Sequence, residues 1–209
     1  MLFTNAQFLA AADSVADLPR DTRAEVAFVG RSNSGKSSAI NALTGRRRLA
    51  RVSRTPGRTR QINLFGVGEG AAMVDLPGYG YSRVSHQTRR TWTSTITEYL
   101  RLRPQLVGLV LVMDARHPLT ALDRQLLAWV RPSGKPLQIL LTKADKLSRA
   151  QAGRVLAATR AQLREAGADV SVELFSSLTR QGAEPVAERI GRWLGVGTQG
   201  EKKPPVKGD

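Results

Sequence analysis

Short, almost wholly apolar runs alternate along this chain with longer stretches whose apolar positions return every three or four residues. Val26-Ala27-Phe28-Val29, Leu106 to Met113 and Leu137-Gln138-Ile139-Leu140-Leu141 belong to the first kind. Near-continuous hydrophobic runs of this length predict strands covered on both faces of a parallel sheet. Ser38 to Leu43, Ser85 to Arg101, Thr120 to Val130, Ser148 to Glu165 and Gly182 to Leu194 belong to the second kind and predict helices. Trp92, Ile96, Tyr99 and Leu100 share one face of the second of these. Thr120, with Asp123 three residues on, has the spacing of a capping pair, and Gly45 and Gly167 fall where helices should stop. Gln61 to Phe65 alternates polar and apolar residues, Gly66 to Gly70 reads as a hairpin turn, and Ala71 to Asp75 follows as a strand. Val170 to Phe175 is the last strand.

Strand and helix therefore alternate, with a single early hairpin. The pattern predicts a three-layer α/β domain with a mostly parallel six-stranded sheet and one antiparallel strand pair. That domain should run from residue 25 to 195. Residues 1–24 are expected to pack on its edge through Leu2, Phe3, Phe8 and Leu9, and residues 196–209 to form a disordered basic tail.

Each strand of such a sheet presents its carboxyl end to the same side, where ligands bind. The loop after the first buried strand is Gly30-Arg31-Ser32-Asn33-Ser34-Gly35-Lys36-Ser37, which reads G-x-x-x-x-G-K-S. A bare match would be weak, but here a strand precedes it and a helix follows it. In that setting the glycines admit phosphate oxygens to backbone N–H groups at a helix N-terminus. Lys36 would reach the β- and γ-phosphates and Ser37 would take one Mg²⁺ position. Asp75-Leu76-Pro77-Gly78, D-x-x-G, closes the strand after the hairpin. An acid there can hold Mg²⁺ through water, and a glycine can approach the γ-phosphate. Thr142-Lys143-Ala144-Asp145 closes a third strand and fits [N/T]-K-x-D. One carboxylate, Asp145, can accept both the N1–H and the exocyclic NH₂ of guanine, a donor pair that adenine lacks. The Lys143 stem can lie along the base. Ser176-Ser177-Leu178, after the last strand, would offer backbone contacts to guanine O6. Between the first helix and the hairpin lies Gly45 to Arg60, rich in arginine. It reads as a mobile loop in which Thr55 or Thr59 could serve the metal site of a switch.

Composition narrows the class. At 209 residues, one domain is the expectation. There is no Cys, which removes disulfides and thiolate metal sites, and His86 and His117 are the only histidines. No transmembrane run or signal peptide is visible, so a cytoplasmic protein is expected. Lys and Arg total 32 against 17 acids, a net charge of +15. Such an excess points to a polyanionic partner, most simply RNA. An anionic membrane fits less well, because no basic amphipathic helix carries a clean aromatic face.

Gly30-Arg31-Ser32-Asn33-Ser34-Gly35-Lys36-Ser37-Ser38, Thr55-Pro56-Gly57-Arg58-Thr59, Asp75-Leu76-Pro77-Gly78-Tyr79-Gly80-Tyr81, Arg116-His117-Pro118-Leu119-Thr120, Thr142-Lys143-Ala144-Asp145 and Phe175-Ser176-Ser177 together resemble the EngB (YihA/YsxC) family of bacterial GTPases, of the TrmE-Era-EngA-YihA-Septin-like class. The resemblance spans about Phe3 to Leu194. It implies a Ras-like P-loop G domain, hydrolysis of GTP to GDP and phosphate, and a switch role in assembly of the large ribosomal subunit. It further implies large-subunit precursors and their rRNA as partners, a monomer, no membrane, and a part in septum assembly at cell division. By motif, it implies phosphate contacts from Gly30 through Ser38 and nucleotide contacts from Gly57, Arg58, Thr59, Asp75, Leu76, Pro77 and Gly78. Guanine would meet Thr142, Lys143, Ala144, Asp145, Phe175, Ser176, Ser177 and Leu178, and Mg²⁺ would meet Ser37, Thr59 and, through water, Asp75.

Two departures are visible. Ser82 stands where the family commonly has Ala, and Arg60 where Gln is common. After D-x-x-G stands Tyr79 rather than the Gln with which Ras-type enzymes orient water. No residue is therefore singled out as catalytic, and slow intrinsic hydrolysis is expected. Asn33 resembles the asparagine that holds K⁺ in some related GTPases, and ligation of K⁺ and shaping of the loop stand as two readings. The function, too, has two readings: a GTPase switch, or an RNA-binding assembly factor for which GTP is a structural ligand. An ATP-dependent kinase is disfavoured by Asp145.

Overall fold

The computed structural model describes residues 2–50, 61–79, 86–167 and 170–196, without the side chains of residues 86–93. The loop residues Thr55, Gly57, Arg58, Thr59 and Arg60, together with Ser82, Trp92's side chain and the tail from residue 197, lie outside that description.

Five parallel strands form the body of the sheet: β2 (Ala24–Gly30), β4 (Ala71–Asp75), β5 (Leu106–Asp114), β6 (Leu137–Thr142) and β7 (Ser171–Leu174). Antiparallel β3 (Ile62–Gly68) pairs with β4, and β1 (Gln7–Ala12) pairs with β3. The order is β1-β3-β4-β2-β5-β6-β7. Helices α1 (Lys36–Thr44), α2 (His86–Leu102), α3 (Ala121–Val130), α4 (Arg149–Glu165) and α5 (Ala183–Leu194) cover the two faces.

Alternation along the strands builds both cores. Ala27 and Val29 of β2, with Leu109, Leu111 and Met113 of β5, face Ile96, Tyr99, Leu126 and Leu163 from α2, α3 and α4. Val26, Phe28, Val110 and Val112 point the other way, against Ile40 and Leu43 of α1 and Val186 and Ile190 of α5. Trp193 lies so close over β5 that a Cβ at Gly108 would sit 2.5 Å from its ring. The starts of α3 and α4 are locked by side chains. Thr120 with Asp123, and Ser148 with Gln151, form reciprocal capping boxes.

The sheet has seven strands where the chain pattern predicts six. Gln7-Phe8-Leu9-Ala10-Ala11-Ala12 has no β-branched residue and three alanines, so its propensity is poor. It becomes a strand by hydrogen bonding to the open edge of β3, with Phe8 edge-on to Phe65 at 6.2 Å and a bulge at Leu9. The predicted turn also begins later. β3 continues through Gly66 and Val67 to Gly68, because Val67 is buried in the core, and Gly70 at φ 67° makes the turn.

At the amino ends of the strands lies a polar cluster sealed from solvent. Glu25 is fully buried and accepts from Tyr99 Oη, Thr22 Oγ1 and the Arg103 guanidinium, whose Nε lies 3.1 Å away. Arg103 also donates to the Pro19 carbonyl at 2.7 Å. The cluster ties the N-terminal segment, β2 and the end of α2 together. Burial, then the adjacent Glu25 carboxylate, drives the Tyr99 phenol well above its ordinary pKa. Breaking one side of a buried pair leaves an uncompensated charge. Glu25→Ala is expected to lower unfolding stability by about 3–5 kcal/mol, read as a fall in urea midpoint at unchanged slope. A loss under about 1 kcal/mol would show that the cluster does not fasten these elements.

Candidate nucleotide site

β2 ends at Gly30, and the chain turns through Arg31 to Gly35 before α1 starts at Lys36. Two residues of the turn are left-handed, Asn33 at φ 62° and Gly35 at φ 94°. A Cβ at Gly35 would lie 3.3 Å from Thr142 Oγ1, and one at Gly30 only 2.6 Å from the Val112 carbonyl. Gly30 is therefore required by close approach and Gly35 by its left-handed conformation.

The D-x-x-G segment is bonded to this loop by backbone. Tyr79 N donates to Gly30 O at 3.2 Å and Ser32 N donates to Tyr79 O at 2.7 Å, a short parallel bridge beyond the end of the sheet. Gly78 sits where a Cβ would come within 3.1 Å of Ser32 Oγ. Asp75, buried at the end of β4, forms an ion pair with Lys36 at the start of α1. Ser37 follows Lys36 on α1, so this ion pair joins the two elements that carry the Asp75 carboxylate and a hydroxyl-bearing residue at one position. The carboxylate and the hydroxyl are hard oxygen donors of the kind Mg²⁺ takes.

Tyr79 is turned away from this position. Its side chain is 3% exposed and its Oη donates to Asp123 Oδ1 at 2.7 Å, beneath α3. Burial, then Asp123, pushes its pKa far above the usual phenol range. Asp123 Oδ2 meanwhile accepts from Thr120 N and Oγ1, so one carboxylate caps α3 and anchors Tyr79.

The T-K-x-D loop reaches the phosphate loop from β6, two strands away. Thr142 Oγ1 donates to the Ser34 carbonyl, and it lies 2.9 Å from the Met113 carbonyl. Lys143, at φ 58°, extends its ammonium to the Asn33 carbonyl at 2.7 Å and to Asp114 Oδ2 at 2.9 Å. Asp114 ends β5 and also accepts twice from the Arg116 guanidinium and once from its backbone N–H. Burial works to raise its pKa, but hydrogen bonds from Arg116 and Lys143 outweigh it and hold the carboxyl well below the carboxylate range. Chain pattern alone marks Asp114 only as a strand end. Its partnership with Lys143 arises because β5 lies between β2 and β6.

Asp145 follows in a short 3-10 turn and accepts from Ser176 Oγ at 2.7 Å, which lowers its pKa. Ser176 is fully buried, and its Oγ also accepts from Leu178 N at 3.2 Å and Thr179 N at 3.1 Å. Phe175 is buried, its carbonyl bonded to Ala144 N, while Leu178 projects into solvent at 76% exposure. The structure thus gathers Gly30 to Ser38, Asp75 to Gly78, Thr142 to Asp145 and Phe175 to Leu178 around one end of the sheet. Gly57, Arg58 and Thr59 lie outside the described residues.

A phosphate loop, a D-x-x-G turn and a T-K-x-D loop at the carboxyl ends of β2, β4 and β6 define a P-loop GTPase. The chain matches the 50S ribosome-binding GTPase family over residues 25–143. It is 55% identical over 194 residues to the "Probable GTP-binding protein EngB" of Azoarcus sp. strain BH72, covering 92% of this chain and 93% of that one. The protein of the same name from Neisseria gonorrhoeae is 50% identical over 195 residues, at 92% and 93% coverage. Among solved structures, a probable GTP-binding protein engB superposes with a TM-score of 0.66 at 21% identity, over 82% of this chain and 98% of that one. Era in complex with MgGDPNP and nucleotides of 16S ribosomal RNA gives 0.65 at 21% identity, over 87% and 59%. The chain belongs to the EngB family of GTP-binding proteins and is a GTPase.

Asp114 should leave a mark on acid stability. Its folded pKa is depressed, so its contribution is complete above the unfolded value of about 4 and is lost as pH falls below it. The stability difference between the unaltered protein and Asp114→Asn is expected to be constant above roughly pH 5 and to shrink below roughly pH 4. Urea unfolding across that range checks this, and a difference independent of pH would overturn it.

Proposed function

We propose that this GTPase is a nucleotide-dependent switch in assembly of the large ribosomal subunit, binding precursor rRNA more tightly with GTP than with GDP. One observation carries the reading: the backbone bridge between Tyr79 and the phosphate loop. A segment bonded to that loop is placed to respond to whether a γ-phosphate is present, and α2 is the next described element after it. The net charge of +15 supports a polyanionic partner. The 50S ribosome-binding description of the matching family, and the rRNA bound in the Era structure, support the ribosome as its source.

In this reading Gly30 to Ser38 wrap the phosphates, with Lys36 exchanging Asp75 for phosphate oxygens. Ser37, Thr59 and, through water, Asp75 would hold Mg²⁺, which would neutralise phosphate charge when bound. Gly57 and Arg58 join Thr59 over the nucleotide, and Leu76, Pro77 and Gly78 face the γ-phosphate. Asp145, already ionised and held by Ser176, accepts the two guanine donors, while Thr142, Ala144, Phe175, Ser177 and Leu178 enclose the base. Lys143, pinned between Asn33 and Asp114, lies along it. Tyr79 is committed to Asp123, so nothing at its position orients water and intrinsic hydrolysis is slow. Residues 25–195 act as the G domain, with the preceding segment packed on it, in a cytoplasmic monomer. A part in septum assembly rests on the family resemblance alone.

Binding to large-subunit precursors is expected to be tighter with a non-hydrolysable GTP analogue than with GDP. Equal binding at matched salt would favour an RNA-binding factor that uses GTP as a structural ligand. Asp145→Asn should weaken GTP binding by about 100-fold or more and improve relative binding of xanthosine triphosphate, whose base replaces the exocyclic donor by a carbonyl. Turnover is expected to be faster in K⁺ than in Na⁺, and Asn33→Gly, which keeps the left-handed backbone but removes the amide, should abolish the difference. Equal rates of the unaltered protein in the two salts would overturn K⁺ ligation and leave Asn33 as a loop-shaping residue.

A further inference from the structure

The amino end of β7 lies at the opposite end of the sheet from the nucleotide site. There α4, β7 and α5 flank an open cavity of about 260 Å³, lined by Arg160 and Arg164 of α4 and Arg189 of α5 around Ser171. A water takes about 30 Å³, so the space admits a larger polar group. Arg189 donates to Ser171 Oγ, and Arg160 donates to the Val172 carbonyl at 2.8 Å, which aims both guanidinium groups along the outer edge of β7. The Arg164 guanidinium has no hydrogen-bond or ion-pair partner among the described residues. Glu173 is the one carboxylate among the described residues that line the cavity, and none of the three arginines is ion-paired to it.

The basic character extends beyond the cavity. α4 is largely exposed and carries Arg149, Arg154, Arg160 and Arg164 against a single acid, Glu165. Arg149, Arg160 and Arg164 fall within about 60° of arc on the helix, and at about 1.5 Å per residue they span roughly 22 Å. A stripe of arginines, rather than lysines, suits ligands with paired acceptor oxygens, because the guanidinium fork meets them bidentately.

We propose that Arg160, Arg164 and Arg189 form a phosphate-docking site for the RNA backbone on the α4–β7–α5 edge, separate from the nucleotide site. This rests on the ribosomal reading above and names the face that meets the RNA. Bound there, RNA leaves the strand carboxyl ends open to GTP, so docking and switching occupy different ends of one sheet.

The test compares the unaltered protein with Arg160→Gln/Arg164→Gln/Arg189→Gln, with Arg164→Gln alone, and with a control of equal charge loss, Arg20→Gln/Arg101→Gln/Arg154→Gln. Each is bound to protein-free large-subunit rRNA and to precursor particles over a salt series. The triple variant is expected to lose about two to three units from the slope of log affinity against log salt, and Arg164→Gln just under one. The control should change less, and GTP affinity should be the same in all. Equal RNA binding by the triple variant and the control would overturn the site while leaving the ribosomal reading intact. Loss on particles but not on protein-free rRNA would overturn RNA in favour of an acidic protein partner. Failure of the unaltered protein to bind either probe would overturn the ribosomal reading and this site with it.

Discussion

The dependence of everything else on one constraint is clearest at the carboxyl ends of β2, β4, β5 and β6. Parallel strands must all terminate on the same side, and hydrogen bonding sets neighbouring strands one strand spacing apart. Gly30, Asp75, Asp114 and Thr142 are brought together by that rule alone, although more than a hundred residues separate the first from the last. Once assembled, the ends bind each other. Lys36 meets Asp75, Thr142 meets Ser34, and Lys143 meets both Asn33 and Asp114. The phosphate loop is therefore held by the loops that would read the base and the γ-phosphate.

This arrangement couples chemistry to shape with few moving parts. Tyr79 joins the phosphate loop through its backbone and α3 through its phenol. The residue next to Gly78 is therefore held by a buried carboxylate that also caps a helix. At the other end of the sheet, the Glu25–Arg103 cluster fastens β2 to the end of α2. The helix that comes after D-x-x-G in the chain is thus anchored at its far end.

The surface follows a different logic from the site. Within the site, most charges are matched: Asp75 by Lys36, Asp114 by Lys143 and Arg116, Asp145 by Lys146. On α4 and the β7 edge, arginines outnumber acids and are not ion-paired among the described residues. Matched charges hold a geometry, and unmatched ones attract a partner. The division between them separates the nucleotide end of the molecule from its basic edge.

Much of this was legible in the chain itself. Periodicity located the five helices and the parallel strands, because burial on one helix face or both strand faces forces apolar residues into fixed spacings. The phosphate loop, D-x-x-G and T-K-x-D were legible because each is local: a backbone turn and its donors need only adjacent residues. β1 was not, since three alanines become a strand only when β3 offers an unpaired edge. Nor was the direction of the Tyr79 phenol, the clamp of Asp114 on Lys143, or the meeting of Arg160 and Arg164 with Arg189. Those contacts join residues far apart in sequence, and only the order and twist of the strands decide which of them meet.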